Sequence, residues 1–444
     1  MKVLFTNPPW FTQEPHPEQA GRQILRRGIR AGSRWPFTIP SHYNPDNFQF
    51  GGYLPFPYFL ASAAGYVALN PSYKVTFRDS IARGESYAAF FSALNHIRPD
   101  HVILEVGAAS WDHDLQVIGI IKKMLPGVMV AVAGPTAKTA SETDRSGLVD
   151  AWLLGEYEKN AARFVAGATG VLQYDLLTKE EMNTLPLPMV DDSAALNYWD
   201  ACPEGQLAPH LQMLTSRGCP YKCCFCAWPA TMTGNDPDGT KPRSVRFHSA
   251  AWVQNYITKF HEKYPRIRSV YFDDDTFNLN DRHVLEICEV MKHIGLPWTA
   301  MCRADTSKRE TWMAMRDSGC RGVKLGFESG SQRVVDQIVN KKLNLKEAAE
   351  TAIWLRQIGL SVHGTFTIGL PGETKEERAE TVHFIKTLYQ RGGLDTHQLS
   401  GTATIEGTPL DAISHGEKLA VYPGADNADF VRNHDGAKKA EDMR

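Results

Sequence analysis

Two successive trains of short apolar runs, each followed by a stretch of helical character, dictate what this chain is able to fold into. The first train is KVLFTNPP (2–9), YKVTFRD (73–79), HVILEV (101–106), VMVAVAG (128–134) and AWLLGE (151–156). Continuous apolar strands separated by helices belong to a parallel sheet covered on both faces. The segments FPYFLASAAGYVAL and LQVIGIIKKML supply such cover. A doubly wound α/β domain is expected over residues 1–167, with ligands at the carboxyl ends of its strands. The loops there are Asn7-Pro8-Pro9, Asp79-Ser80, Gly107 to Ser110, Gly134-Pro135-Thr136 and Gly155-Glu156.

Residues 168–208 contain LPLP and few periodic runs, and read as a linker. The alternation then restarts with LQMLTS (211–216), RSVYFDD (268–274), WTAMCRAD (298–305), GVKLGFES (322–329), VHGTFTIGL (362–370) and HQLSGTATI (397–405). Six βα units over 209–410 predict an open, partial version of the eight-stranded barrel, with its chemistry at the strand carboxyl ends. Residues 411–444 read as a short tail.

Composition narrows the function. The 48 basic and 50 acidic side chains leave a net charge of -2, which argues against a nucleic-acid protein held by phosphate contacts. The apolar stretch from Tyr53 to Leu69 is broken by Pro55 and Pro57 and is short of the roughly 20 residues of a membrane span. With no signal segment at MKVLFTNPPW, a cytoplasmic protein is expected. Eight cysteines are present, four of them within eight positions, which suits a metal site in a reducing compartment. Cys302 and Cys320 read as small buried fillers, His363 and His397 as hydrogen-bonded core histidines, and Tyr271 as lining either face of its strand.

The cluster lies in SRGCPYKCCFCAWP, where Cys219, Cys223 and Cys226 form a C-x3-C-x2-C pattern after the first barrel strand. Three thiolates in one loop can each hold one iron of a [4Fe–4S] cubane and leave the fourth iron open for a ligand. A zinc knuckle is the alternative, although structural zinc takes four ligands, commonly from C-x2–4-C pairs. A register through Cys224 is a further alternative, which places adjacent thiolates on one cluster.

With these residues in view, the chain resembles the radical S-adenosylmethionine (SAM) superfamily. CPYKCCFC matches its cysteine loop, with Phe225 in the aromatic position. FDDDTF (272–277), LGFESGS (325–331), GTFTIGLPGET (364–374) and EGTPL (406–410) resemble its later motifs, in order. The resemblance implies a [4Fe–4S] cluster that binds SAM at its open iron and cleaves it to a 5′-deoxyadenosyl radical. It implies Asp274 or Asp275 on the methionyl ammonium, Arg303 on the carboxylate, and Glu328 with Ser329 near the adenosyl moiety. The alternative for FDDDTF is a strand-end turn capping the helix near Asp281, and for Arg303 a structural ion pair.

The Rossmann-like N-terminal half resembles the cobalamin-binding subgroup of that superfamily, through NPP (7–9), VTFRD (75–79), RPDHVILEVGAAS (98–110), AVAGPTA (131–137) and LLGEYE (153–158). The resemblance implies cobalamin near Gly107, Ser110, Gly134, Gly155 and Glu156. No D-x-H-x-x-G signature for a lower cobalt ligand is present, which leaves that face to the Gly107–Trp111 loop. Methyl transfer to an unactivated carbon of a small-molecule or lipid precursor is the function implied, with an electron donor such as flavodoxin or ferredoxin. Radical cyclisation, ring contraction or oxidation with the same cofactors is an alternative, as is a non-catalytic binding module. Arg22, Arg26, Arg27, Arg30 and Arg34, beside Trp35 and Phe37, raise the expectation of an anionic substrate; a solvated loop is the competing reading.

Overall fold

The computed structural model describes residues 1–15, 23–27, 37–39, 53–107, 110–200, 206–236, 241–402 and 408–410. It divides into two compact units, Met1–Asp200 and Ala201–Arg444. Strands are numbered here through the two main sheets only, and helices as they are introduced.

The first unit is built on β1 (Lys2–Asn7), β2 (Lys74–Asp79), β3 (His101–Glu105), β4 (Met129–Ala133), β5 (Ala151–Leu153) and β6 (Gly170–Leu172). All pairings are parallel, in the order β2-β1-β3-β4-β5-β6. This is the flavodoxin-like version of the doubly wound fold, whose strand order reverses between β1 and β3 and opens a crevice there.

The apolar runs are continuous because both faces are covered. Leu4, Val102, Leu104, Val130 and Val132 enter one core with Phe90 and Leu94 of α2 (Tyr87–Ile97) and Ile118 and Ile121 of α3 (Trp111–Met124). Val3, Phe5, Ile103 and Ala131 alternate with them and are equally buried. They belong to the other face, where α1 (Tyr58–Val67) packs on β1 and β2 and against α4 (Tyr157–Val165).

The stretch expected to be a linker is structured instead. Gly170–Leu172 forms the edge strand β6, and a short helix at Lys179–Thr184 carries a Thr178–Glu181 capping box. Both elements are too short to register as a period.

Part of the arginine-rich segment lies in a small antiparallel sheet of Phe11–Pro15, Gln23–Arg27 and Phe37–Ile39. Arg22, Arg30, Arg34 and Trp35 lie outside the described residues, as do Ala108, Ala109 and everything after Leu410.

The second unit carries β7 (His210–Met213), β8 (Ser269–Phe272), β9 (Trp298–Cys302), β10 (Cys320–Glu328), β11 (Ser361–Ile368) and β12 (Thr396–Gly401). They pair in parallel and in sequence order, so β7 and β12 stand at opposite edges and the barrel is unclosed. The intervening helices are α5 (Ala250–Lys263), α6 (Asp281–Ile294), α7 (Arg309–Asp317), α8 (Leu345–Gln357) and α9 (Lys375–Gln390). Side chains of Ser249, Asn280, Asn344 and Thr374 accept from backbone N–H groups of the first turns of α5, α6, α8 and α9, which fixes where these helices begin.

One sheet face packs aromatics, with Phe272 stacked on Phe277 and Phe327 on Phe366. The other face is polar. Gln212 reaches Asp273, Thr299 reaches Gln206, and the Lys324 ammonium lies 5.0 Å from the centre of the Tyr271 ring. A closed barrel fills its interior with branched apolar residues; this open one keeps a hydrogen-bonding interior. No helix among the described residues is long and apolar enough to cross a membrane.

Candidate active site

The cysteine loop leaves β7 through a two-residue brace, Ser216–Arg217 paired antiparallel with Arg246–Phe247. Gly218 follows at φ +90, a conformation L side chains rarely adopt. Cys219 is buried, with its Sγ 3.5 Å from Thr276 Oγ1, while Cys223 and Cys226 are half-buried.

Cys224 has a different environment. It is enclosed by Val334, Val339, Leu370 and Leu410. Its N–H donates to Val339 O and its carbonyl accepts from Leu410 N, both at 2.9 Å. Burial pushes its thiol up to about 12, and neighbouring Cys223 and Glu328 add to the effect. Burial also raises Cys219 and Cys223, but Lys341, Arg303 and Arg243 pull Cys223 back toward the thiolate. Cys224 is thus the core residue of the loop, while Cys223 sits at the edge of the same apolar nest with cationic groups near it. Among the described residues no three His, Cys, Asp or Glu side chains gather around a point suited to a single ion. A cubane distributes its thiolates over separate irons, so three cysteines in one loop fit a cluster whose fourth iron is left open.

The three aspartates expected to meet a ligand divide their work. Asp274 Oδ1 accepts from Thr215 N (3.0 Å), Thr215 Oγ1 (2.9 Å) and Ser216 Oγ (2.5 Å). Asp275 Oδ2 accepts from Gly218 N and Thr233 Oγ1, each at 3.0 Å. These two carboxylates hold the root of the cysteine loop. Asp274 Oδ2, by contrast, is buried with no hydrogen-bond partner among the described residues. Asp273 shares the polar interior face with Tyr271. It accepts from Tyr271 OH (2.8 Å) and Gln212 Nε2 (2.6 Å) and stays half-buried.

Burial pushes Asp274 up to about 7 against an ordinary 3.8. The folded chain thus holds a proton that the unfolded chain releases near pH 4, so this group's contribution to stability falls as pH rises through that window. Between pH 5 and 8 the wild type is expected to lose stability relative to Asp274→Asn, by on the order of a few kcal/mol. Urea midpoints measured at both pH values check this, and a constant gap between the two proteins contradicts it.

Arg303 is anchored by three contacts. Its Nε and Nη2 form a fork on Asp305 at 2.9 and 2.7 Å, Nη2 also reaches Lys341 O at 3.2 Å, and the guanidinium lies 3.6 Å from the centre of the Tyr221 ring. Nη1 is buried and has no hydrogen-bond partner among the described residues. The expected ion pair and an unpartnered buried donor thus lie on different nitrogens of one side chain. Asn278 clasps the Arg303 backbone through both N–H and C=O at 2.9 Å.

Glu328 ends β10 at φ +69, beside a bulge in the β10–β11 pairing. Its Oε1 accepts from Lys341 Nζ at 2.9 Å and Oε2 from Thr367 Oγ1 at 3.4 Å. Ser329 turns the other way, its Oγ 3.0 Å from Thr381 Oγ1 of α9, and so braces a helix rather than facing the interior with Glu328. Phe225 packs at the edge of the apolar nest around Cys224. Cys302 and Cys320 are fully enclosed, and His363 meets Thr396 Oγ1 at 2.9 Å. Lys341 and Asn278 escaped the sequence reading.

In the first unit, the strand ends at the β1/β3 crevice carry Asn7 and the Gly107–Ser110 turn. Asn7 Nδ2 is buried without a partner among the described residues. Ser110 Oγ meets both Gly107 N and O at 3.3 Å and donates to Asp114 Oδ2 at 2.6 Å. Gly134 accepts from Ala137 N, and Gly155 leads into Glu156, whose Oε2 accepts from Leu177 N at 2.9 Å. Glu156 thus secures the segment after β6. The orphaned amide of Asn7 at the crevice fits a polar cofactor edge.

Residues 213–385 match the sequence profile of the Radical SAM superfamily. Over these residues the chain is a radical SAM domain. The superfamily implies a [4Fe–4S] cluster and SAM, and the chain is an enzyme of this class.

An uncharacterized methyltransferase of Pyrococcus horikoshii is 27% identical over 75% of this chain and 73% of its own. Two solved structures share the fold. The radical SAM methyltransferase TsrM of Kitasatospora setae, solved with cobalamin and a [4Fe–4S] cluster, has a TM-score of 0.60 at 15% identity, over 80% of this chain and 71% of its own. The cobalamin-dependent SAM radical enzyme OxsB, solved with aqua-cobalamin and SAM, has a TM-score of 0.63 at 12% identity, over 95% and 73%. Beside the radical SAM domain, the flavodoxin-order sheet falls within that shared fold.

Proposed function

We propose that the protein is a cobalamin-dependent radical SAM methyltransferase acting on an unactivated carbon of a small molecule. The observation that carries this reading is the union, in one chain, of a three-cysteine loop with a flavodoxin-order sheet at whose crevice Asn7 Nδ2 has no hydrogen-bond partner among the described residues. The methyltransferase names of its relatives support it. When bound, the cluster and SAM supply hydrogen abstraction by a 5′-deoxyadenosyl radical, and cobalamin supplies the methyl group.

The chain's own residues bind and orient. Cys219, Cys223 and Cys226 hold the cluster and leave one iron for the methionyl group. Arg303 Nη1 takes the methionyl carboxylate, a charge-assisted bond that replaces its missing partner. One of the FDDDTF carboxylates takes the ammonium, Asp273 from the polar interior face or Asp274 through its Oδ2, which has no hydrogen-bond partner among the described residues. Glu328 and Thr367 address the adenosyl hydroxyls. In the first unit Asn7, Gly107, Ser110, Gly134 and Gly155 border the cobalamin site. An acidic protein such as flavodoxin or ferredoxin delivers the electron.

Anaerobic reconstitution with iron, sulfide and hydroxocobalamin tests the reading. About four irons per chain, together with bound cobalt, are expected. On reduction with SAM present, 5′-deoxyadenosine should form together with S-adenosylhomocysteine, and the product should gain one CH2. Formation of 5′-deoxyadenosine alone points to a rearrangement or oxidation, and formation of neither overturns radical chemistry for this chain.

A further inference from the structure

We propose that Lys341 is a positioning residue that fixes Glu328 and whose charge sets the reduction potential of the cluster held at Cys223. Three backbone outliers converge on this side chain. Asn340 and Lys342 flank it at φ +58 and +56, and Glu328, its partner, sits at φ +69. Left-handed non-glycine residues cost on the order of 1–3 kcal/mol each and persist where the surroundings impose them. The turn they build carries an ammonium into a buried position, where only 7% of the residue is exposed.

The bed beneath the pair is shaped for it. A Cβ on Gly326 would lie 2.5 Å from Glu328 Oε1 and 2.8 Å from Lys341 Nζ, so the pair rests directly on the β10 backbone. The same turn is attached to the cysteine loop. Val339 O accepts from Cys224 N at 2.9 Å, Asn340 Nδ2 donates to Lys222 O at 3.3 Å, and Lys341 O accepts from Arg303. Lys341 is accordingly bonded to Glu328 on one side and, through its neighbours, to the residues either side of Cys223. The charges of Lys341 and the Cys223 thiol act on one another.

A fixed cation beside the cluster favours the added electron, since net charge and surrounding donors tune such potentials. Glu328 moderates that charge. The pair is therefore expected to act with opposite signs when dissected. This inference rests on Cys223 being a cluster ligand.

The test is a mediated redox titration of the reconstituted protein without SAM, followed by visible absorbance and electron paramagnetic resonance. Lys341→Met is expected to disfavour reduction about tenfold, equivalent to 59 mV for one electron. Glu328→Gln, which unmasks the ammonium, should shift the potential upward, and Lys341→Arg should stay near wild type. Damage to packing moves both variants the same way, so shifts of the same sign, or none, overturn the proposal. Should Lys341→Met fail to fold, Glu328→Gln decides alone, and an unchanged or lowered potential overturns it. A wild-type protein that takes up no cluster refutes the ligand assignment instead.

Discussion

Cys219→Ala, Cys223→Ala and Cys226→Ala proteins, reconstituted anaerobically, are expected to lose the brown chromophore and to fall to background in 5′-deoxyadenosine formation, whereas Cys224→Ala keeps both. Removing one thiolate from a three-cysteine cubane leaves a second iron without a protein ligand. Cys224, next in sequence to a ligand, is spent on packing against Val334, Val339, Leu370 and Leu410. Its truncation removes one buried sulfur, for a cost of roughly 1–2 kcal/mol. The readouts are iron content and absorbance on one side and thermal stability on the other. A colourless Cys224→Ala protein, or turnover surviving the loss of any of the other three, defeats the assignment.

That contrast also marks what the amino-acid sequence makes legible. C-x3-C-x2-C spacing identifies the loop, yet the environment of Cys224 depends on Val339 and Leu410, over a hundred residues away. Strands β1, β3 and β4 are readable because helices on both faces demand continuous apolar runs such as HVILE and MVAVA. Edge strand β6, three residues long and largely exposed, carries no such demand and hides in a stretch that reads as linker.

Direction is harder to read than identity. Three consecutive aspartates look equivalent in FDDDTF, but strand phase turns Asp273 into the interior, while Asp274 and Asp275 meet the donors of Thr215, Ser216, Gly218 and Thr233. The bulge near Glu328 similarly separates it from Ser329. Lys341 gives no signal at all. Its turn uses Asn340 and Lys342 at positive φ where a glycine would have announced it.

Gly218→Ala is expected to damage the root of the cysteine loop severely. The added Cβ would stand 2.1 Å from Ser244 O and 3.5 Å from Thr233 O, both backbone atoms of segments that brace the loop. No side-chain rotation relieves that overlap, and φ +90 adds its own penalty. The Gly218 N–H bond to Asp275, at 3.0 Å, has to break if the loop root moves, which leaves a buried carboxylate short of a donor. Together these effects cost roughly 3–5 kcal/mol. At about 2–4 °C per kcal/mol for a unit of this size, Tm falls by on the order of 10 °C and cluster loading falls with it. Gly359→Ala is the matched control, for it sits at φ +92 with nothing within 4 Å of the added Cβ. It pays the conformational penalty alone, about 1–2 kcal/mol, and leaves cluster loading intact. Equal losses in the two variants would show that backbone conformation, rather than the close approach to Ser244, dictates glycine at the root of the cysteine loop.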